Sequence, residues 1–257
     1  MGTIRSQTEM NQYSAEFRFY EELNDFRPSG RRDTAVTYRF TGSPGIKDSI
    51  EALGVPHTEV ELIVVNRHSV GFDYRLQSCD RVAVYPMFES LDVTPLLRLR
   101  EAPLRNSAFV VDVNLGKLAR RLRLLGFDAL YRNDYTDSEI AALSVSTRRI
   151  ILTRDRRLLF PKKITHGYWL RATGPDTQIR EVLARFDLYR QIRPFHRCLD
   201  CNGIIRAVKK SDIVGELQPL TRQYYHEFYQ CMDCSKIYWK GTHYEHMQRK
   251  LGLLVGT

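Results

Sequence analysis

The sequence predicts an α/β protein of several domains, with an open parallel sheet in the second half of the 257-residue chain. Three observations carry this reading. Two short apolar runs, Phe109-Val110-Val111-Asp112 and Ile150-Ile151-Leu152-Thr153-Arg154-Asp155, read as buried parallel strands. Each delivers an aspartate to the carboxyl edge of a sheet, where α/β folds place their sites. Around these runs strand-like and helix-like stretches alternate, which calls for right-handed crossovers. Before them lies the pattern of a small α+β domain, and after them two C-x₂-C pairs mark a metal-held module.

The chain is long enough for two or three units that each bury a core. Residues 1 to 106 carry 13 Lys+Arg against 15 Asp+Glu, and residues 107 to 257 carry 26 against 15. That asymmetry directs the second part toward a polyanion, nucleic acid above all, because its arginines share a segment with clustered acids. A basic surface that serves solubility is the plain alternative. No run approaches the roughly 18 apolar residues that span a bilayer, and no charged-then-apolar leader opens the chain, so a soluble cytoplasmic protein is expected.

In order, the first domain reads as strand (16–22, with Phe17 and Phe19 alternating), strand (34–40), helix (45–53) and two more strands (60–65 and 81–85). Ile46, Ile50 and Leu53 fall at i, i+4, i+7 and lay one apolar stripe along the helix. Residues 89–106, with Pro95 and Pro103, read as a linker. The second domain starts with the strand ending at Asp112 and a helix that follows at once. Its buried stripe is Leu115, Leu118, Ala119, Leu122 and Leu125, with Gly126 as the residue just past its end. Lys117, Arg120, Arg121 and Arg123 lie on the other faces. A strand (127–132), a helix (137–147), the strand ending at Asp155, a strand (168–170) and a helix (177–186) complete it.

The acids carry the chemistry. Asp134, Asp137 and Glu139 join Asp112 and Asp155. Clustered carboxylates repel unless a divalent cation lies between them, and Mg²⁺ accepts a few protein oxygens completed by phosphate oxygens. A phosphate-ester substrate follows. The competing reading is that Asp112 and Asp155 only cap the turns after their strands. A cation-bound water becomes hydroxide near neutral pH, a nucleophile for such an ester that needs no protein nucleophile. No Ser/His/Asp or Cys/His nucleophile motif is evident. Lys117, Arg120, Arg154 and Arg156 are candidate phosphate contacts, or else partners of these same acids. The Thr153 hydroxyl either supports the metal or substrate, or belongs to a simple β former.

Cys198, Cys201, Cys231 and Cys234 form two pairs with 29 residues between them. In a cytosolic chain this spacing signals a tetrahedral Zn²⁺ site with no open position, hence a structural one; disulfides and redox pairs are the weaker readings. Residues 218–230 supply strand-like aromatics (Tyr224, Tyr225, Phe228, Tyr229) for the intervening loop. Beyond Cys234, Tyr238, Trp239, Lys240, His243, Tyr244 and His246 form an aromatic and basic mixture able to stack bases and grip phosphate. His243 is read as substrate-binding, and with His246 as a metal pair only if a third ligand exists.

Two resemblances organise these observations. Residues 14–88, through Asp80-Arg81-Val82-Ala83-Val84-Tyr85-Pro86, resemble the ubiquitin-like β-grasp sulfur carriers of the ThiS and MoaD type. Their carboxy-terminal Gly-Gly is missing here, which argues against carrier chemistry. Cys79 stands where that family places glycine and is expected to be a small buried filler. The run from Phe109 to Asp128, Asp137-Ser138-Glu139 and Leu152-Thr153-Arg154-Asp155 resemble the Mut-seven-C family of PIN-like ribonucleases, whose members commonly add a zinc ribbon. The resemblance implies a PIN-like nuclease domain (107–192), a zinc ribbon (193–250) and an acid set holding Mg²⁺ or Mn²⁺. Carried across, the set is Asp112, Asp155 and either Asp137 or Glu139, with Asp134 fitting less well as an outer candidate. The expected activity is hydrolysis of RNA phosphodiester bonds. The alternatives are a non-catalytic zinc-ribbon RNA-binding adaptor, or a β-grasp docking partner of tRNA or cofactor sulfuration enzymes.

Overall fold

The computed structural model describes residues 12–27, 34–86 and 107–255, and divides the chain into two compact units, Met1–Leu104 and Arg105–Thr257. The expected linker at 89–106 lies outside the described residues.

In the first unit, β1 (Gln12–Phe19), β2 (Val36–Thr41), α1 (Ile46–Ala52), β3 (Leu62–Val65), β4 (His68–Val70) and β5 (Arg81–Tyr85) form one sheet of order β2-β1-β5-β3-β4. β1 and β5 pair in parallel at its centre, and the other pairs are antiparallel. The alternation read at Phe17 and Phe19 puts both rings in the core, where α1 contributes Ile46 and Ile50. β1 stops earlier than expected. Asn24 Nδ2 donates to the Phe19 carbonyl (2.9 Å), and the chain turns at Glu21 (φ 48°) into a 3₁₀ turn. β4 was not anticipated: Asn66 and Arg67 both take positive φ (48° and 74°), which closes a two-residue hairpin without the usual glycine. Cys79 is exposed, which corrects the expectation of a buried filler. Its φ of 67° lies in the left-handed region, so the backbone explains why glycine suits this position.

In the second unit, β6 (Ala108–Val111), β7 (Asp128–Leu130), β8 (Ile150–Thr153) and β9 (Gly167–Trp169) form an all-parallel sheet of order β7-β6-β8-β9. α2 (Gly116–Leu124) and α3 (Asp137–Thr147) flank β7 in sequence, and α4 (Pro175–Arg185) follows β9. Val110 packs with Ile140 of α3, whereas Phe109 meets Phe186 edge-on just beyond α4. β6 is thus buried on both faces, which is what its unbroken apolar run requires. The expected stripe of α2 is buried in full. Two of its arginines are not on a free cationic face: Arg121 pairs with Asp176 of α4 (2.6 Å), and Arg123 is buried.

The rest of the unit is an antiparallel sheet of β10 (Ile205–Val208), β11 (Phe228–Cys231) and β12 (Ile237–Trp239), with α5 (Lys210–Ile213) and α6 (Pro219–Tyr224) between β10 and β11 and α7 (Thr242–Val255) last. Tyr224 and Tyr225 are therefore not strand residues. Pro219 at the first helical position starts α6 there, and Tyr224 ends it exposed.

α2 closes in a Schellman motif, with Phe127 N–H donating to Leu122 O (2.9 Å) and Gly126 N–H to Arg123 O (3.0 Å). Gly126 has φ 94°, and a Cβ there would stand 2.1 Å from the Arg193 carbonyl oxygen. Gly126→Ala is expected to destabilise the chain by about 2–3 kcal/mol, read as a lowered midpoint in chemical denaturation.

Candidate active site and metal centre

The register that sets Val111 opposite Leu152 brings Asp112 beside Thr153 at the carboxyl edge of the sheet. Asp112 N–H donates to Leu152 O (3.0 Å), so the carboxylate is fixed where β6 leaves the sheet. The fully buried Thr153 hydroxyl donates to Asp112 Oδ2 (2.6 Å) and accepts from Asp155 N–H (2.8 Å). One hydroxyl therefore connects the two strand-end aspartates. Each also caps the turn after it: Asp112 Oδ1 accepts from Asn114 N–H (3.3 Å) and Asp155 Oδ1 from Arg157 N–H (2.9 Å). The capping reading thus holds, yet it uses one oxygen of each carboxylate. Asp112 is 6% exposed, while Asp155 is open to solvent.

α3 leaves β7 by the same edge, because a helix between parallel strands starts where the first strand ends. Its two acids differ in employment. Glu139 Oε2 accepts from both Thr136 N–H (2.7 Å) and Thr136 Oγ1 (2.9 Å), while Thr136 Oγ1 accepts from Glu139 N–H (3.2 Å), a reciprocal capping box. These bonds hold its carboxyl below the usual range. The Asp137 carboxylate has no such partner among the described residues. Asp134 forms a two-point ion pair with Arg132 (2.8 and 2.9 Å). Among the described residues, no three carboxylates lie within mutual ligand reach.

The candidate cations scatter. Lys117 is exposed in the first turn of α2. Arg154 lies between Thr153 and Asp155, and its carbonyl accepts from Trp169 Nε1 (3.2 Å). Arg156 stacks over the Trp169 ring at 3.8 Å. Arg120 faces the cysteine module instead: with Lys236 as the largest cause, it helps keep Asp200 below the usual carboxylate range. His243 and His246 are exposed on α7.

The four cysteines converge. Their sulfurs all lie within 4.8 Å of one another, with Cys201–Cys231 at 3.3 Å and Cys198–Cys234 at 3.7 Å, and none forms a disulfide. A tetrahedron with Zn–S bonds of about 2.3 Å requires sulfurs roughly 3.8 Å apart, so the donor set fits zinc. The two knuckles are built alike. Asn202 N–H returns to Cys198 O and Ser235 N–H to Cys231 O (3.0 Å each), with both residues at positive φ (74° and 58°). Burial pushes the Cys201 and Cys234 thiols up. Cys198 is also pushed up by burial, but hydrogen bonds from backbone amides and Tyr238 outweigh this and bring it down to about 7. Crowded sulfurs of this kind cannot all ionise without a cation among them.

Residues that sequence reasoning passed over join the first knuckle to the parallel sheet. Buried Arg123 donates to the carbonyls of Ala129, Leu199 and Asp200 (2.9, 3.1 and 2.7 Å). Asp128 accepts from Arg149 (2.6 Å), Arg197 (3.2 Å) and Asn202 (2.7 Å), and Asn202 Oδ1 accepts from Ala129 N–H (2.9 Å). The one local signal was the Asn-Gly at 202–203, a turn former whose side chain proves to be the contact.

The family model described as the Mut7-C RNAse domain matches residues 107–251, and that described as Mut7-C ubiquitin matches residues 12–92. No curated protein matches the chain, and no solved structure does.

Burial works against Asp128 ionisation, but Arg149, Asn202 and Arg197 outweigh it and hold the carboxyl below its usual value of 3.8. Asp128→Asn should therefore cost about 2 kcal/mol near neutral pH in urea unfolding. Because the depressed ionisation stabilises the fold only while the acid is charged, the gap from wild type should narrow as pH falls below about 4. A gap constant with pH would contradict the ion-pair account.

Proposed function

The chain belongs to the Mut7-C RNAse domain family, and from that premise we propose that it is a metal-dependent ribonuclease of three modules: a β-grasp domain, a PIN-like nuclease domain and a zinc ribbon that helps seat RNA. The observation that carries the reading is the Thr153 hydroxyl held between Asp112 and Asp155 at the carboxyl edge of the parallel sheet. Both Asp112 oxygens already accept one hydrogen bond each and Asp155 keeps its second oxygen for solvent; carboxylates so oriented retain lone pairs for Mg²⁺ or Mn²⁺, which binds proteins through one or two carboxylates and takes the rest of its shell from water and phosphate.

When bound, such a cation supplies an acidified water and charge neutralisation at the phosphate. The protein's own residues do the rest. Thr153 orients Asp112, and Asp155 presents its second oxygen to solvent on the same edge. Asp137, the α3 acid outside the capping box, is the better candidate for a third carboxylate than Glu139. Lys117, Arg154 and Arg156 neutralise phosphate oxygens, and the basic excess of the second unit favours a polyanion over small phosphate esters. Zinc in the four-cysteine site keeps structure and takes no part in hydrolysis. No described helix is long and apolar enough to cross a membrane.

One observation favours the adaptor reading: both aspartates make capping bonds that need no metal. Labelled single-stranded RNA with Mn²⁺ separates the two. Wild-type chain is expected to cleave, Asp112→Asn and Asp155→Asn to lose cleavage, and Thr153→Val to fall about 10–100-fold through loss of its orienting bond. Asp137→Asn should lower activity more than Glu139→Gln, which should chiefly weaken α3. No cleavage by wild type would leave the adaptor. Metal analysis is expected to find one zinc per chain. Cys231→Ser should lose it together with cooperative unfolding of the ribbon, whereas retention of zinc would exclude the four-thiolate site.

A further inference from the structure

We propose that a cleft in the ribbon, walled by aromatic rings, binds an unpaired nucleobase of single-stranded RNA. The choice of ligand rests on the ribonuclease reading, but the site is separate from the aspartate edge. The cleft has a volume of about 380 Å³ and takes its walls from three places: Phe195 on the segment entering the ribbon, Tyr229, Tyr238 and Trp239 on β11 and β12, and Tyr244 on α7. That is room for about one nucleotide, not for a duplex.

The rings are held in place by contacts that fix their faces. Phe195 adopts φ 60°, with its N–H bonded to Leu124 O (3.1 Å), and its ring lies 4.5 Å from that of Tyr244. A left-handed phenylalanine persists only where the surroundings over-determine it. The Tyr238 hydroxyl is tied to Cys198 Sγ (3.0 Å), so this wall inherits the rigidity of the metal knuckle. Trp239 is 38% exposed, and its indole lies against Gly241, where a Cβ would stand 3.0 Å from Nε1.

Charge decides between ligands that like aromatic walls. A methylated ammonium would also stack there, but Arg197 and Lys240 line the cleft and oppose a cation. Among the described residues Lys240 pairs with exposed Glu227 (2.6 Å), a surface bond that a phosphate can displace at little cost. Aromatic faces with a neighbouring exchangeable cation match a base and its phosphate. Every base offers a π-face when unstacked and withholds it in a helix.

The test uses the full chain carrying Asp112→Asn, so that RNA is not consumed, with a labelled single-stranded oligoribonucleotide and the same sequence as a duplex. Trp239→Ala is expected to weaken single-strand binding about tenfold, the loss of one stack, and to leave duplex binding unchanged, while Trp239→Phe keeps most of the affinity. As a measurement that needs no truncated wall, oligouridylate should quench the fluorescence of a Trp169→Phe chain saturably, since Trp239 is the one tryptophan left of two. Unchanged single-strand affinity in Trp239→Ala, an equal loss for duplex, or absence of saturable quenching would overturn the proposal. Cleavage is read separately. A chain that cleaves but binds without regard to Trp239 loses this site alone, and one that needs Trp239 for binding but never cleaves loses the enzyme reading alone.

Discussion

The second unit is organised around a buried cation, Arg123, that among the described residues pairs with carbonyls and with no carboxylate. Arg123 reaches back from the last turn of α2 and spends its donors on carbonyls of β7 and of the first cysteine knuckle. Burial lowers its pKa, an effect opposed by the nearby Cys198 sulfur and Asp200 carboxylate. A guanidinium so placed is tolerable only while those carbonyls stay in position, because a buried charge stripped of partners is among the costliest defects in a protein. Sheet, helix and cysteine module are thereby obliged to keep one geometry. Asp128 and Asn202 reinforce the contact from the other side.

The aspartate edge draws its order from a different source, the parallel pairing of β6 with β8. That register makes Thr153 the lateral neighbour of Asp112, and the next turn folds Asp155 back onto the same hydroxyl. Nothing in this arrangement relies on long flexible side chains. Capping and site geometry coexist because a carboxylate has two oxygens, and the backbone takes only one.

Much of this was legible in the residues. β6 and β8 announce themselves as unbroken apolar runs because they are buried on both faces, and α2 by its buried stripe and its closing Gly126. The capping role of Glu139 was also written there: Thr136-x-x-Glu139 is a capping-box signature, and reading it would have placed Glu139 at the helix terminus at once. Other features were hidden for physical reasons. The β3–β4 hairpin turns on Asn66-Arg67, a pair whose left-handed backbone composition does not advertise. Arg121 and Arg123 looked like solvent-facing charges because helical spacing gives direction but not the identity of the neighbour. Two of the partners of Arg123, the carbonyls of Leu199 and Asp200, stand 76 and 77 residues away in the chain, beyond the reach of any local pattern.

β7 is the outer strand of its sheet, and strands in that position offer unpaired amides to any passing chain. Here the Asn202 side chain occupies the Ala129 amide, and the knuckle covers its surroundings. Since Asn202 keeps its left-handed pose through the cysteine turn, metal starvation would do more than loosen a ribbon. It would open the Ala129 amide of an outer strand to pairing with another chain, so a metal held by the four cysteines would also shield this edge.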